Sequence, residues 1–203
     1  MGDTTPEPEN TSYLVGDPIM DNLNRFMHLV HKQDDRAMVL SLAAFAEDTL
    51  GRLLLAYMVD CKQSKELVEG FNAPLGTFSA RIKAAYAIGL LLRDQHDDLD
   101  IARKIRNVFA HDWEGVALER NDIQALIGQL HCHTFTSHKE PFKGTPRERL
   151  IEAVSTICCE TRIHTARLIS GKNKSVPVVG FRLYAGEPSP PPLKSSDPEP
   201  AQV

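Results

Sequence analysis

The chain has 203 residues, 42% of them hydrophobic and 25% charged, with a formal net charge of −4 and a pI near 6.1. One domain of ordinary soluble composition accommodates that length with a sizeable core, and the negative balance excludes a generally basic nucleic-acid-binding surface, leaving room for a local patch at most. The first residues lack the basic and apolar regions of a secretory signal, and no apolar run reaches the roughly 18 residues of a membrane span, so a cytoplasmic protein with no membrane contact is expected.

Residues 1–16 are polar, carry Pro6 and Pro8 and lack apolar periodicity, so they read as a disordered tail. Asp17-Pro18 suits a helix opening, with Ile19, Leu23, Phe26, Met27 and Val30 at helical spacing to about Lys32. Asp34 or Asp35 can cap a longer helix reaching about Cys61. Its apolar residues fall almost all round, as expected of a central helix. Glu47 and Asp48 are then charges in an apolar setting. A buried carboxylate needs a partner, for which Arg106, Arg81 and Arg52 are candidates; the alternative is a local Asp48–Arg52 pair on an exposed strip.

Gln63 to Gly70 reads as a brief helix stopped by glycine, and Pro74 and Gly76 hold Phe71 to Gly76 as a loop. Thr77 or Ser79 caps a helix carrying Phe78, Ile82, Ala85 and Tyr86 on one side and Arg81 and Lys83 elsewhere. From Leu99 to His111 a helix places Ile101, Ala102, Ile105, Val108 and Phe109 on one stripe. Arg103, Asn107 and His111, four apart, form a column on its other side. Arg106 stands about 140° around the helix from His111. Asp97, Asp98 and Asp100 precede Arg103, Lys104 and Arg106, an order that suits the helix dipole without any function.

His111 to Gly115 breaks that helix, and Trp113 is expected to pack over a helix end. Asn121 can cap a helix with Ile123, Leu126, Ile127 and Leu130. His131, Cys132, His133 and His138 follow it in a cluster whose spacing fits no common zinc pattern, and no metal is expected. Cys61, Cys132, Cys158 and Cys159 form neither a disulfide framework nor a CxxC pair, so reduced thiols are expected. Thr145-Pro146 opens the last long helix, ended by Gly171. Residues 172–185, with an alternating run from Val176 to Tyr184, read as an extended arm, and 186–203 as a Pro-rich tail. The whole describes an all-α fold, a single compact bundle of five to seven helices over residues 17–171 with disordered termini.

Neither a Walker loop, a Rossmann glycine pattern, HExxH nor GxSxG is present, and no cofactor is expected. Arg106-Asn107-x-x-x-His111 resembles the signature of the HEPN superfamily of small helical proteins. That resemblance implies a metal-independent endoribonuclease with His111 as proton-transfer group, Arg106 as phosphate clamp and Asn107 as orienting amide. One helix supplies a single His, so facing motifs of two subunits would complete such a site. More closely, Phe71-Asn-Ala-Pro-Leu-Gly-Thr-Phe-Ser-Ala-Arg-Ile-Lys83 followed by Arg103-Lys-Ile-Arg-Asn-Val-Phe-Ala-His111 is similar to the mannitol operon repressor (MltR-like) family, from about Asp35 to about Leu130. This second resemblance implies a homodimeric helical regulator. No helix-turn-helix with a basic recognition helix is visible, so the expected action is through protein partners, with Arg103, Arg81, Glu47 and Asp48 as candidate binding residues and RNA as a partner under the ribonuclease alternative.

Overall fold

The computed structural model describes residues 18–112, 114–131 and 144–171. The two expected tails, the arm, Trp113, Cys132, His133 and His138 lie outside the described residues. Among the described residues are seven helices and no strand: α1 (Pro18–His31), α2 (Asp35–Tyr57), α3 (Lys62–Val68), α4 (Phe78–Ala87), α5 (Arg93–His111), α6 (Asn121–Ile127) and α7 (Pro146–Ser170). The all-α bundle expected from periodicity is the observed architecture.

Local chemistry sets most of the helix starts. The Asp34 carboxylate accepts from the Ala37 amide at 2.8 Å, and the Thr77 hydroxyl accepts from the Ala80 amide at 3.2 Å. Thr145 and Glu148 form a reciprocal capping box with Pro146 in the first turn. The two Thr145 hydrogen bonds, backbone first and then side chain, hold the Glu148 carboxyl below its ordinary range. Several boundaries differ from expectation: α5 begins at Arg93 and not at Leu99, and α3 ends at Val68, short of Gly70. α2 stops at Tyr57, short of Cys61, because Met58 turns extended and the Ser64 hydroxyl donates to the Val59 carbonyl at 2.6 Å. α6 begins at Asn121 itself, with Arg120 as the flanking residue.

α2 is the axis of the bundle. Met38, Val39, Leu42, Ala43, Ala46, Leu50, Leu53 and Leu54 are all buried, and its broadest packing is against α7, followed by α5 and α4. α7 is itself buried on most sides between Leu150 and Thr161. At their contact the Thr49 hydroxyl bonds back to the Phe45 carbonyl and also meets the Cys158 thiol. Phe45 is stacked on Phe26 of α1, with centroids 4.0 Å apart and rings 6° from parallel. The guanidinium of Arg162 lies 5.7 Å over the Phe45 ring. Most of the apolar surface of α2 is therefore covered within one chain, with Leu40, Leu55, Ala56 and Tyr57 only partly buried.

Arginines fasten the connections to this core. The first few N–H and last few C=O groups of a helix lack intrahelical partners, and several of the bundle's loose carbonyls are met by guanidinium groups. Arg147, in the first turn of α7, donates to the Gln33 carbonyl at 2.6 Å and the Val30 carbonyl at 3.2 Å and pairs with Asp35 at 2.5 Å, which clamps the turn between α1 and α2. Arg149 donates to the Leu130 carbonyl at 2.6 Å and the Gly128 carbonyl at 3.2 Å beyond α6. Arg36 donates to the Asp112 carbonyl at the end of α5. Arg81 donates to the carbonyls of Leu75 at 2.8 Å, Glu47 at 2.8 Å and Val68 at 2.9 Å, tying α2, the end of α3 and the following loop to α4.

Gly51 makes that last arrangement possible. A Cβ at position 51 would sit 2.9 Å from Arg81 Nη1 and 3.0 Å from its Cζ, and a guanidinium held by three carbonyls cannot step aside cheaply. Replacing an interior helical glycine with alanine normally gains up to about 1 kcal/mol. Here we expect Gly51→Ala to destabilise instead, by about 1–3 kcal/mol from overpacking and weakened Arg81 bonds. Denaturant unfolding of Gly51→Ala, Arg81→Met and the double variant should show the Gly51→Ala penalty shrinking once Arg81 is gone. Additive losses would refute the coupling.

The α2–α7 contact also sets thiol chemistry. Desolvation by burial pushes the Cys158 thiol up to about 12, against a smaller opposing effect of Thr49. Cys61 lies the other way: the Ser64 side chain, then its backbone, lower its pKa. At pH 8 a thiol with a pKa near 12 is thiolate in about one molecule in ten thousand. Iodoacetamide labelling mapped by mass spectrometry should therefore modify Cys61 well before Cys158, and Cys158 only on unfolding. Early native-state labelling of Cys158 would contradict its placement.

Candidate functional site

α5 is where the buried stripe and the reactive-looking side chains share one helix. Gln95, Asp98, Leu99, Ile101, Ala102, Ile105 and Phe109 face the core, and Val108 is partly buried at its edge. The expected stripe is correct in its apolar members. Two polar residues belong to it as well, and composition did not single them out.

Asp98 is the more consequential of the two. It is 0% exposed, and among the described residues its carboxylate is met by His131 across the bundle. The His131 amide donates to its two oxygens at 3.0 and 3.2 Å, and His131 Nδ1 donates to Oδ1 at 2.7 Å. A carboxylate buried without partners is strongly unfavourable, so this contact fixes where the chain passes on leaving α6. Asp98, grouped in sequence with Asp97 and Asp100 as acids preceding basic residues, is thus set apart from them by its burial. His131 is correspondingly a partner of Asp98, and among the described residues no cluster of three metal-ligating side chains exists. Gln95 accepts from the Leu92 amide at 2.9 Å and donates to Glu160 of α7 at 2.6 Å.

The outer face holds the remaining candidates. Arg103 does not reach along the column to Asn107; its Nε and Nη2 lie 2.8 and 2.6 Å from Asp100 Oδ1. Lys104 adds a second cation to the same carboxylate at 3.1 Å. Burial works against the charged form of Asp100, yet hydrogen bonds from Arg103 and Lys104 outweigh it and hold the carboxyl below its ordinary range. Asp100 thus contributes stability above the ordinary carboxylate pKa, lost as the pH falls through the lowered value. Arg106 Nη1 donates to Asn107 Oδ1 at 3.1 Å, so these neighbours are joined. His111 is exposed at the last turn, and no described side chain bonds to it. Beside it Asp112 accepts from Arg120 at 2.9 Å.

The other candidate binding residues are dispersed. Asp48 and Arg52 pair at 2.7 Å on an exposed strip of α2, the local arrangement and not the buried one. The Asp48 side chain, followed by its charge, raises the pKa of Arg52. Glu47 is half-buried and contributes its carbonyl to Arg81. Arg106 has no ion pair with either carboxylate. The structure therefore brings Arg106 next to Asn107, leaves His111 further along the same helix, joins Arg81 to the Glu47 carbonyl, and leaves Asp48 with Arg52 on the exposed strip.

Without a buried carboxylate to strand, Arg106→Ala should cost at most about 1 kcal/mol, and His111→Ala less than about 1 kcal/mol. Asp98→Ala should cost more, about 3 kcal/mol, because it leaves the His131 donors facing an empty buried space. Chemical denaturation of the three variants checks the order. An Asp98 variant as stable as the parent would remove the anchoring role.

No family model matches the chain. Over 66 residues it is 32% identical to the mannitol operon repressor of Escherichia coli strain K12 and equally to that of Escherichia coli O6:H1 strain CFT073. The matched residues are 32% of this chain and 33% of each repressor, so the chain spans about a third of the length of the curated relatives it matches. Among solved structures, it is similar to a chain of the X-ray structure of the MtlR-HPr complex from Escherichia coli, with a TM-score of 0.49 and 22% identity over 73% of this chain and 96% of that one. In sequence, the chain is similar to the mannitol operon repressors over that 66-residue segment.

Proposed function

We propose that this chain is a cytoplasmic helical regulator that acts in transcriptional regulation through a protein partner, in the manner its sequence similarity to the mannitol operon repressors suggests. One observation carries the reading: two of the three cations on the outer part of α5 are already paired within the helix, Arg103 and Lys104 both on Asp100. That pairing reduces the charge this face offers to a nucleic-acid backbone. The 66-residue similarity supports the same reading. A homodimer rests on the resemblance and on the apolarity of the Val39 to Tyr57 stretch, most of which the chain's own helices cover.

The alternative is a metal-independent endoribonuclease that uses Arg106, Asn107 and His111. It draws support from the exposure of His111 and the Arg106–Asn107 bond, and it needs a second copy to bring the second proton-transfer group. Deleting the gene and measuring transcripts separates the two. A regulator predicts a defined set of changed transcripts, restored by the parent and by His111→Ala alike. Unchanged transcripts would sink the regulator. Restoration by the parent alone, with labelled RNA cut in EDTA by the parent and not by His111→Ala, would establish the ribonuclease.

A further inference from the structure

α2 and α7 run parallel and finish at the same end of the bundle. Arg147 in the first turn of α7 pairs with Asp35 at the start of α2, and further along Cys158 meets Thr49. At about 1.5 Å per residue, Tyr57 lies about 12 Å beyond Thr49 and Ile169 about 17 Å beyond Cys158, so the last turn of α7 reaches level with the last turn of α2 and slightly past it. This end of the bundle is left apolar. Leu55, Tyr57, Met58 and Leu168 pack on the core from one side and are only partly buried, while Val59 and Ile169 are 63% and 68% exposed. Apolar residues scattered singly over a surface need no cover, but these continue the core outward where two helices stop.

Connectivity, charge and symmetry point to one occupant. Gly171 follows the last residue of α7, and Val176 is five residues further on, within about 17 Å of it even at full extension. The alternating run of residues 176–184, with Val179, Phe181 and Leu183 on one side of an extended chain, is therefore tethered next to the apolar end. Its effective concentration there is on the order of millimolar, so a contact too weak to hold a free molecule is filled from within the chain.

Helix C-termini carry partial negative charge on carbonyls that lack intrahelical partners. Two such termini end together here with Asp60 exposed just past α2, and Arg167 in the last turn of α7 offsets only part of that charge. Residues 172–184 bring Lys172, Lys174 and Arg182 and no acid, whereas residues 1–17 bring Asp3, Glu7, Glu9 and Asp17 and no cation. A second copy docked end to end would set the same negative termini against each other.

We propose that residues 176–184 of this same chain fold back over the apolar end formed by the last turns of α2 and α7. This goes beyond the regulator reading and does not depend on it.

The test replaces Phe181 with the photocrosslinker p-benzoylphenylalanine in the full chain, with the same group at Ser189 as a control for tethering alone, and maps the adducts by mass spectrometry. We expect an adduct to residues 55–59 or 165–170 within one chain, in a yield unchanged by roughly hundredfold dilution and at least tenfold above that from position 189. The double variant Val59→Asp/Ile169→Asp should lower the yield at least fivefold. Leu183→Asp, outside the helices, should lower it equally and separates loss of docking from any damage to the bundle. An adduct with a second copy that fades on dilution, an adduct elsewhere on the chain, equal yields from positions 181 and 189, no adduct, or a yield that survives Leu183→Asp overturns the inference.

Discussion

A central helix with almost no polar side is the constraint from which the rest of this bundle follows. α2 buries residues around most of its circumference, so α1, α3, α4, α5 and α7 must all be laid against it. Covering one helix with five requires many changes of direction, and each leaves backbone carbonyls without helical partners. Arg81, Arg147, Arg149 and Arg36 answer that need, each donating to carbonyls on another segment. A planar fork with five N–H donors suits the task, because one side chain can satisfy two or three carbonyls at once. The basic residues of this chain are in good part structural for that reason.

Much of this was legible because it is local. The Asp34 and Thr77 caps, the Thr145-Pro146 opening and the apolar stripe of α5 depend on residues within one or two turns of each other, and reading periodicity found them. The misses were non-local. Nothing in Asp97-Asp98-Leu99-Asp100 distinguishes the middle acid from its neighbours, since its partner is 33 residues away. The role of Arg81 depended on Gly51, which looks unremarkable in a long helix until the space beside it is known. The early end of α2 escaped notice because Met58 and Val59 continue the apolar pattern while a later serine hydroxyl takes the Val59 carbonyl.

The candidate site shows the same division. Residue types and spacing identified Arg103, Arg106, Asn107 and His111 as sharing a helix, but not how they pair. Asp100, placed to satisfy a helix dipole, takes up two of the nearby cations. Phe71 was noticed as part of a motif, and its exposure reverses the ordinary expectation for a phenylalanine. In both cases the useful information is the departure from what local rules assign.

The pairing of α2 with α7 also has a consequence for biosynthesis. Tyr57 ends the central helix and Pro146 begins the one that contributes most to its cover. At cellular translation rates the interval between them corresponds to roughly 5–20 seconds. For that time the emerging chain carries an apolar helix that α4 and α5 can cover on some sides only. A chaperone able to hold exposed aliphatic segments during that interval would protect the nascent chain from aggregation, and the Arg147 clamp on the α1–α2 turn can close only when synthesis has passed it.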